Sequence, residues 1–244
     1  MKSKRVDAPL VPLAIALAAM LSIGAAVVWH QWLFWLVTVL LLICLGLYLN
    51  ASWRGKEQII DETITYLHLS SDAQVLDLGT DQGNVLVKLA KRLTIPGHAT
   101  GVEVGRKSAQ SHNSLARAKD SLQAAAMADR ASVQAADILN LPFKDHQFDG
   151  ILIWMTLHQV KPTINRARAV QEAARTLKRD GTLAIIDFRH FDEYQKILAR
   201  LGFHDITVHQ CGVNGWWGVP WLNLIGQAFL AASRLSVALM IKND

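Results

Sequence analysis

The stretch Val75-Leu76-Asp77-Leu78-Gly79-Thr80-Asp81-Gln82-Gly83 decides the fold of this chain of 244 residues. Its apolar start is typical of a buried strand, and its glycines let the backbone turn tightly and let a ligand approach closely. A helix is predicted to begin at about Asn84, directly after the turn. A strand, a glycine-containing turn and a helix in this order predict a ligand-binding loop at the carboxyl end of the first strand.

Short apolar runs alternate with helical patterns through the rest of this region. The predicted strands are 74–78, 99–104, 132–135, 148–154, 182–187, 205–210 and 235–241. The predicted helices are 56–69, 84–93, 106–127, 164–178 and 191–201. The alternation predicts an α/β fold with a doubly wound, Rossmann-like, mainly parallel sheet. Such sheets bind ligands beyond the carboxyl ends of their strands, where the strand order reverses.

Acidic side chains stand at the ends of several predicted strands. Glu103 ends the second strand, about 20 residues after Gly83, which suits a ribose diol as in dinucleotide-binding folds. Asp137 and Ile138 follow the third strand. Asp137 could contact a ligand there, or it could be a helix N-cap or form an Asx turn. Asp149 is predicted to be structural, because it lies at the start of the fourth strand, away from the ligand end.

In order and spacing, these segments resemble the class I methyltransferases that depend on S-adenosylmethionine (SAM), above all the branch with quinone-biosynthesis and other small-molecule enzymes. The resemblance runs from about Gln74 to Asp187 and includes the runs 141–149 and 172–181. It implies the class I fold and SAM as the cofactor, with no metal site. The residues that it places at the cofactor are Asp77, Gly79, Thr80, Asp81, Gly83, Glu103, Val104, Asp137, Ile138 and Trp154.

One residue departs from the family pattern, which usually has a glycine where this chain has Asp81. A side chain there narrows the approach to the cofactor, and a positive φ would cost it roughly 1 kcal/mol or more. Aspartate tolerates that conformation better than most residues, and Asp81 could meet the amino group or the sulfonium of SAM. Cofactor binding is therefore expected to survive. Asp77 could either contact the cofactor or brace the loop.

Methyl transfer from a sulfonium mainly requires alignment of the reacting atoms and exclusion of water, so no catalytic triad is expected. A general base is needed only for a weakly acidic acceptor. The candidate catalytic residues are His158, which follows the fourth strand, and Asp187 and His190, which follow the fifth. His158 could instead order its loop, and Asp187 and His190 could cap the next helix.

The N-terminal region predicts a membrane anchor. The chain is only 18% charged, against roughly 25% in soluble proteins, largely because of its first fifty residues. Two uncharged apolar runs, predicted as helices at about 8–29 and 32–50, each approach the roughly 20 residues that span a bilayer. Tryptophans cluster at the short turn, and the flanking positive charges place both outer ends in the cytoplasm. A cleaved signal peptide is disfavoured by the second run, and a surface helix by the lack of a polar face.

Net charge and cysteine content exclude other kinds of partner. The net charge is +5; residues 1–54 hold four basic residues against one acidic residue, which leaves +2 for the remainder. The sequence contains no run of lysine and arginine residues that would indicate nucleic-acid binding. Cys44 and Cys211 lie far apart, so neither a disulfide framework nor a cysteine metal site is expected.

The sequence thus predicts a membrane anchor at 1–54 and a methyltransferase domain at 55–244. The expected function is methyl transfer from SAM to a small, quinone-like or lipid-like acceptor, at the cytoplasmic face of the cell membrane, by a multi-pass protein. The alternative is a non-catalytic SAM-binding membrane module, a sensor or scaffold, which Asp81 motivates. An NAD-dependent oxidoreductase is disfavoured because Gly79 and Gly83 do not form G-x-G-x-x-G.

Two features have no single interpretation from the sequence. The tryptophans at 216, 217 and 221 could pack internally, touch the bilayer or line a substrate channel, and the oligomeric state is open.

Overall fold

The computed structural model describes residues 9–104, 109–215 and 228–233. The chain divides into two compact units, one made of Met1–Ile60 with Gln210–Gln227 and the other of Asp61–His209 with Ala228–Asp244. The predicted boundary after residue 54 falls inside an unbroken run of helix. The tryptophans at 216, 217 and 221 and the predicted strand at 235–241 lie outside the described residues.

The first unit contains the two predicted apolar helices, α1 (Leu10–Trp29) and α2 (Trp32–Asn50). His30, in a left-handed conformation with φ 49°, ends α1 and reverses the chain. A π-helical turn, Ala51–Gly55, then joins α2 to α3 (Lys56–Tyr66) without a break. No proline lies between Trp32 and Tyr66, so every residue of this stretch keeps the N–H group that a continuous helix uses.

α1 and α2 contact each other through small side chains on one face of α1. Its buried residues are Val11, Ala19, Ser22 and Ala26. The Ser22 hydroxyl donates a 2.8 Å hydrogen bond to the Phe34 carbonyl of α2, as is common where helices approach closely in membranes. The large apolar side chains elsewhere on the pair are exposed, for example Leu21 at 76% and Trp32 at 73%.

The second unit is built on one sheet in the order β3-β2-β1-β4-β5-β7-β6. The strands are β1 (Gln74–Leu78), β2 (His98–Val104), β3 (Ala131–Ala136), β4 (Phe148–Trp154), β5 (Leu177–Asp187), β6 (Asp205–Gln210) and β7 (Ala228–Ser233). The helices between them are α4 (Asn84–Arg92), α5 (Ala109–Ala124), α6 (Thr163–Thr176) and α7 (Phe191–Arg200). β1 to β5 pair in parallel, whereas β7 is antiparallel to β5. The predicted doubly wound, mainly parallel sheet is confirmed.

The strand order reverses between β1 and β4. β2 and β3 follow on one side of β1, and β4 and β5 on the other, with Leu76 beside Ile151 and Leu78 beside Ile153. These central side chains are fully buried, as expected for parallel strands covered on both faces. The loops that leave the carboxyl ends of β1 and β4 therefore stand on a rigid floor at the point where such folds bind ligands.

Two strands differ from the sequence prediction. β5 begins at Leu177 rather than at 182, because buried Leu177 pairs with Phe148 and the register shifts before Gly150. The predicted helix 164–178 accordingly ends at Thr176. β7 was not predicted, because its alanine-rich sequence has low strand propensity; its place between β5 and β6 comes from pairing with β5.

Candidate active site

The loop after β1 is a tight turn tied to the end of β2. The N–H groups of Gly79 and Thr80 both donate to the Val102 carbonyl, at 2.9 and 3.2 Å, and the Gly83 N–H donates to the Thr80 carbonyl at 2.8 Å. Gly79 and Gly83 have φ values of 85° and 82°, which glycine adopts at no steric cost. No side chain caps α4, which begins at Asn84, so its first N–H groups remain available to a ligand.

Gly79 also brings this loop against the loop after β4. A Cβ atom at Gly79 would overlap the Thr156 hydroxyl. That hydroxyl lies 2.7 Å from the Trp154 carbonyl and 3.3 Å from the Leu78 carbonyl, and it can donate to either. Thr156 therefore joins the ends of β1 and β4 across the point of strand reversal, and it does so only because Gly79 has no side chain.

Asp81, where the family pattern has a glycine, has a left-handed backbone conformation with φ 47°. Its main-chain N–H donates a 3.0 Å hydrogen bond to Oε2 of Glu103. Glu103 is half-buried near the end of β2, with Val104 as the last residue of that strand. Burial raises the pKa of Glu103, while hydrogen bonds from Ser114 and from the Asp81 N–H act in the opposite direction. Its carboxylate is thus held at the rim of the loop.

Asp77 lies in β1 directly below this loop and is fully buried. Both of its carboxylate oxygens lack a hydrogen-bond partner within the part of the chain that the structure describes. Burial raises the pKa of Asp77 to about 7; the nearby Thr80 hydroxyl acts in the opposite direction, and the charge of Glu103 adds to the shift. Burying a carboxyl group without a well-formed hydrogen bond is costly, which makes Asp77 a candidate for contact with a cationic ligand. Such a strongly shifted group at a ligand site is a candidate functional residue.

These residues fit SAM. The unpartnered oxygens of Asp77 suit a cationic group, and SAM carries both an ammonium and a sulfonium. Glu103 presents a carboxylate, an acceptor that suits the hydroxyls of a ribose. Gly79 and Gly83 leave the backbone open to close approach. Asp77 and Glu103 therefore offer carboxylates that suit the positive charges and the ribose hydroxyls of SAM. Within the described residues, no cluster of potential metal ligands is present.

The turn after β3 is the Asx turn that the sequence left as an alternative. Oδ1 of Asp137 accepts a 2.9 Å hydrogen bond from the Leu139 N–H, and the Asp137 carbonyl accepts one from Asn140 at 3.0 Å. Asp137 is exposed, whereas Ile138 is buried. Asp137 therefore shapes its own turn with one carboxylate oxygen and leaves the other oxygen accessible at the edge of the site.

An arginine fork holds the segment that follows this turn. Arg175 of α6 donates to the carbonyls of Leu141 and Phe143, at 3.1 and 2.9 Å, and pairs with Asp145 at 2.6 Å. Glu172 accepts from Arg175 and also from the Leu141 N–H at 3.0 Å. This network gives a physical role to the two sequence runs, 141–149 and 172–181, on which the family resemblance partly rests.

Asp149, predicted to be structural, accepts a 2.8 Å hydrogen bond from the Gln74 N–H and pairs with Lys178 at 2.6 Å. It joins the starts of β1, β4 and β5, at the opposite end of the sheet from the loops. These contacts give Asp149 a structural role.

His158 and Asp187, both predicted as catalytic candidates, come together at the carboxyl ends of β4 and β5. Asp187 is fully buried and accepts hydrogen bonds from the N–H groups of His158 and Phe188, at 3.0 and 2.8 Å. The Tyr194 hydroxyl donates to it at 3.1 Å. Nδ1 of His158 lies 2.9 Å from Oδ1 of Asp187, although the N–H direction is not aligned for a hydrogen bond. Asp187 therefore does not cap α7.

His190, the third candidate, is separate from this pair. It precedes α7 with φ 70° and makes no side-chain cap. Its Nδ1 lies 3.7 Å from Oε2 of Glu193. With Phe191, Asp192, Glu193 and Lys196, it lines a cavity of about 640 Å³. His190 thus borders an open cavity rather than acting with Asp187.

Sequence reasoning missed four residues around the site: Thr156, Arg166, Glu193 and Tyr194. Buried Arg166 donates to Glu193 at 2.8 Å and to the Val160 carbonyl at 3.1 Å, which fixes the end of the His158 loop to α7. A charged residue on the apolar face of α6 was the only signal for this pair. Tyr194 and Thr156 gave no signal, because their partners are far away in sequence.

Comparisons with known proteins agree with this geometry. Residues 75–181 match the family model described as a methyltransferase domain. The chain is 30% identical over 132 residues to a demethylmenaquinone methyltransferase of Lactiplantibacillus plantarum, covering 54% of this chain and 52% of the relative. It is 35% identical over 135 residues to a 2-phytyl-1,4-naphtoquinone methyltransferase of Nostoc punctiforme, covering 55% of each. The chain spans about half the length of these relatives.

Solved structures are similar in fold. A SAM-dependent methyltransferase from Aquifex aeolicus superposes with a TM-score of 0.54 at 19% identity, covering 71% of this chain and 88% of the other. A geranyl diphosphate C-methyltransferase from Streptomyces coelicolor, solved with S-adenosyl-L-homocysteine, gives 0.59 at 13% identity, covering 74% and 79%. The shared architecture is that of class I methyltransferases.

Proposed function

We propose that this chain transfers the methyl group of SAM to a small, lipophilic acceptor while it is anchored in a membrane, because residues 75–181 match a methyltransferase domain and the sheet has the fold of a SAM-dependent methyltransferase. The single observation that carries the proposal is Asp77, a fully buried carboxyl group with no partner beneath the glycine loop. Neither carboxylate oxygen has a hydrogen-bond partner in the described residues, and a cationic cofactor would supply one.

The proposed roles of the residues follow from their positions. SAM, the cofactor of this family, supplies a methyl group activated by a positively charged sulfur. Asp77 balances the positive charge, and Glu103 accepts from the ribose hydroxyls. The turn of Gly79, Thr80, Asp81 and Gly83 gives close approach. Four further residues, at or just after the carboxyl ends of β2, β3 and β4, complete the proposed cofactor site: Val104, Asp137, Ile138 and Trp154.

Isothermal titration of the full chain in lipid nanodiscs with SAM and with S-adenosylhomocysteine tests the cofactor site. We expect binding of both ligands, and a loss of SAM affinity of at least tenfold in Asp77→Asn. Asp120→Asn, which changes an exposed aspartate on α5, is the matched control and should bind normally. No binding at millimolar ligand would refute the proposal.

Exposed apolar surface on α1 and α2 supports the membrane anchor. Both helices are long and apolar enough to cross a bilayer, yet only 22% of the most apolar part of α1 and 11% of that of the helix from Trp32 to Tyr66 are buried. Soluble monomers rarely expose contiguous apolar patches beyond a few hundred Å². A helix pair with this surface is matched by the hydrocarbon core of a bilayer, whose thickness each helix approaches.

Cysteine labelling in intact cells tests the multi-pass topology with the catalytic domain in the cytoplasm. In a chain with Cys44 and Cys211 replaced by serine, Gln31→Cys places a thiol at the helical turn and Lys91→Cys places one on exposed α4. A membrane-impermeant maleimide should label position 31 from outside, and position 91 only after lysis. Labelling of position 91 in intact cells would refute the orientation.

A quinone-like or lipid-like acceptor is the proposed substrate class. The supporting observations are the two relatives, a demethylmenaquinone methyltransferase and a 2-phytyl-1,4-naphtoquinone methyltransferase, and an anchor that would raise the effective concentration near a membrane-dissolved acceptor. Methyl-labelled SAM is incubated with the full chain and a total lipid extract, and we expect label in the organic phase. Label that remains entirely with SAM while SAM binds would favour the second candidate, a SAM-binding sensor or scaffold, which the side chain of Asp81 in the cofactor loop motivates.

A further inference from the structure

We propose that His158 is the general base of the reaction, that buried Asp187 positions it, and that the acceptor therefore carries a weakly acidic hydroxyl or C–H group at the atom that is methylated. The inference rests on the proposed function and deepens it by naming the substrate class. It is carried by the arrangement of His158, Asp187 and Tyr194 at the carboxyl ends of β4 and β5.

Asp187 is built to hold a histidine in one orientation. It is fully buried, yet each carboxylate oxygen has a donor: Oδ1 accepts from the Phe188 N–H, and Oδ2 accepts from the His158 N–H and the Tyr194 hydroxyl. These bonds fix the carboxylate with Oδ1 2.9 Å from Nδ1 of His158. Hydrogen bonds of catalytic groups are often poorly aligned without substrate, and a small ring rotation would align this one.

The two ring nitrogens of His158 have different surroundings. Nδ1 faces the carboxylate, and Nε2 has no hydrogen-bond partner among the residues described. The ring packs against Phe188, with 4.4 Å between the ring centres, and its side chain is 16% exposed. With the Nδ1 proton directed at Asp187, the lone pair on Nε2 is free to accept a proton, which is the arrangement that base-and-orienter pairs use.

The location of the pair suits a reaction at the cofactor loop. His158 lies two residues after Thr156, which contacts the end of β1 at the Leu78 carbonyl. The pair therefore stands at the carboxyl ends of β4 and β5, beside the point of strand reversal where ligands bind in such sheets. Arg166 fixes the far end of the same loop through the Val160 carbonyl, so the histidine is carried by a segment held at both ends.

The neighbouring charges leave Asp187 free to act on His158. Arg166 is paired with Glu193, so this cation is already balanced. Burial first, and then the charge of Asp187, raise the pKa of Tyr194 well above its usual range, so the hydroxyl remains a donor to Asp187. His190 approaches Glu193 rather than Asp187. The carboxylate of Asp187 therefore meets the histidine and two kinds of neutral donor.

The proton balance defines the acceptor class. The electron pair of the acceptor atom forms the new bond to the methyl carbon, and the sulfur keeps the electrons of the broken bond and becomes a neutral thioether. The acceptor must lose one proton, which Nε2 of His158 accepts and later releases to water. Asp187 stays ionised and stabilises the imidazolium. An acceptor that is already a strong nucleophile would not need this pair, whereas a phenol, an alcohol or an activated C–H does.

The test compares His158→Gln, Asp187→Asn and, as the matched control, His204→Gln in the full chain in nanodiscs. His204 is exposed in the loop between α7 and β6. Three quantities are measured: the SAM dissociation constant, the pH profile of label transfer from methyl-labelled SAM to total lipid extract, and the NMR chemical shifts of the His158 ring nitrogens without cofactor. We expect His158→Gln to lower the transfer rate about 10²-fold to 10⁴-fold with SAM affinity within twofold.

The pH profile and the NMR spectrum separate positioning from a merely structural role. The wild-type rate should fall as the pH is lowered, because a protonated imidazole cannot accept a proton, and this fall should be absent from the residual rate of His158→Gln. Asp187→Asn should change which ring nitrogen of His158 carries the proton, as seen in the ring nitrogen chemical shifts, and should give a smaller loss of rate.

Three results would count against the inference. Unchanged transfer in His158→Gln would refute the general base, and unchanged chemical shifts of the His158 ring nitrogens in Asp187→Asn would refute its positioning. A wild-type chain that binds SAM but transfers no label would refute the proposed function itself, and the inference with it. His204→Gln should match the wild type in every measurement.

Discussion

The main-chain N–H of Asp81 donates a 3.0 Å hydrogen bond to Oε2 of Glu103. This bond joins the loop after β1 to the acid near the end of β2, and it requires the left-handed conformation of Asp81 at φ 47°. The residue that departs from the family pattern therefore has a backbone conformation that glycine adopts at no steric cost.

At position 81 the backbone conformation, rather than the carboxylate, should control cofactor binding. Asp81→Gly removes the strain of a positive φ, so SAM affinity should stay within a few-fold of the wild type. Asp81→Val places a β-branched residue in the left-handed region, at a cost of about 1–2 kcal/mol or more, and should weaken SAM binding at least tenfold. Isothermal titration measures both. Equal loss of affinity in the two variants would mean that the carboxylate itself holds the cofactor.

Gly79 and Gly202 form a matched pair, because both have positive φ, at 85° and 82°. A Cβ atom at Gly79 overlaps the Thr156 hydroxyl, whereas at Gly202 nothing lies within 4 Å. Gly202→Ala should cost only the backbone strain, about 1 kcal/mol. Gly79→Ala should be less stable than Gly202→Ala in thermal unfolding and should lose SAM binding. Similar unfolding temperatures for the two would show that the Thr156 contact contributes nothing.

Asp77 should make the cofactor-free protein less stable as the pH rises. Its pKa is about 7 in the folded chain and about 3.9 in an unfolded chain. The folded state thus holds the proton more tightly, and the stability from protonated Asp77 is complete at low pH and lost as the pH rises through about 7. Relative to Asp77→Asn, the wild-type unfolding temperature should fall between pH 5 and pH 8.

Saturating SAM should reduce that difference at pH 8, because a cation beside the ionised carboxylate offsets its burial. Asp120→Asn, at an exposed position, should follow the wild type at every pH. If the profiles of the wild type and Asp77→Asn run parallel from pH 5 to pH 8, Asp77 is not an unpaired buried acid.

Glu103→Gln should weaken SAM binding about tenfold to a hundredfold, because hydrogen bonds to a charged acceptor contribute roughly 1.5–3 kcal/mol. Glu62→Gln, on the exposed face of α3, is the control and should bind normally. Adenosine alone should compete with SAM for the wild type and far less well for Glu103→Gln. Unchanged competition by adenosine would place the ribose elsewhere.

Arg175→Lys should loosen the segment after the β3 turn, since an ammonium cannot reproduce the fork that bonds Leu141, Phe143 and Asp145. We expect a loss of about 1–3 kcal/mol in the free energy of unfolding. Arg168→Lys changes an exposed arginine on the same helix and should stay within about 0.5 kcal/mol. A loss confined to SAM binding, with stability unchanged, would contradict this structural role.

The order of strands and helices could be predicted from sequence patterns that span only a few residues. The run from Val75 to Gly83 predicted the strand, the turn and the helix that begins at Asn84, and the alternation of periods predicted the parallel sheet. Glycine spacing and the acid at Glu103 predicted a ligand-binding loop after β1, because these features depend on residues close in sequence. The two apolar helices followed from length and composition alone.

Other features needed the folded chain. The sequence offered Asp187 and His190 as equal candidates, and only the pairing of β4 with β5 brought Asp187 to His158 and left His190 beside Glu193. Tyr194 had no sequence signal. β7 is formed by pairing rather than by its own propensity, and Asp77 became an unpartnered charge only when the sheet buried it.

The sequence by itself determined the strand-turn-helix order, the acid at Glu103 and the apolar hairpin, because backbone conformation and hydrophobic period are set within a few residues. The tertiary structure alone decided which of its polar groups have partners. Burial and hydrogen bonding depend on atoms brought together from distant parts of the chain, as Leu78 and Thr156 are. Whether a carboxyl group such as Asp77 or Asp187 is satisfied or left open for a ligand is therefore a property of the fold.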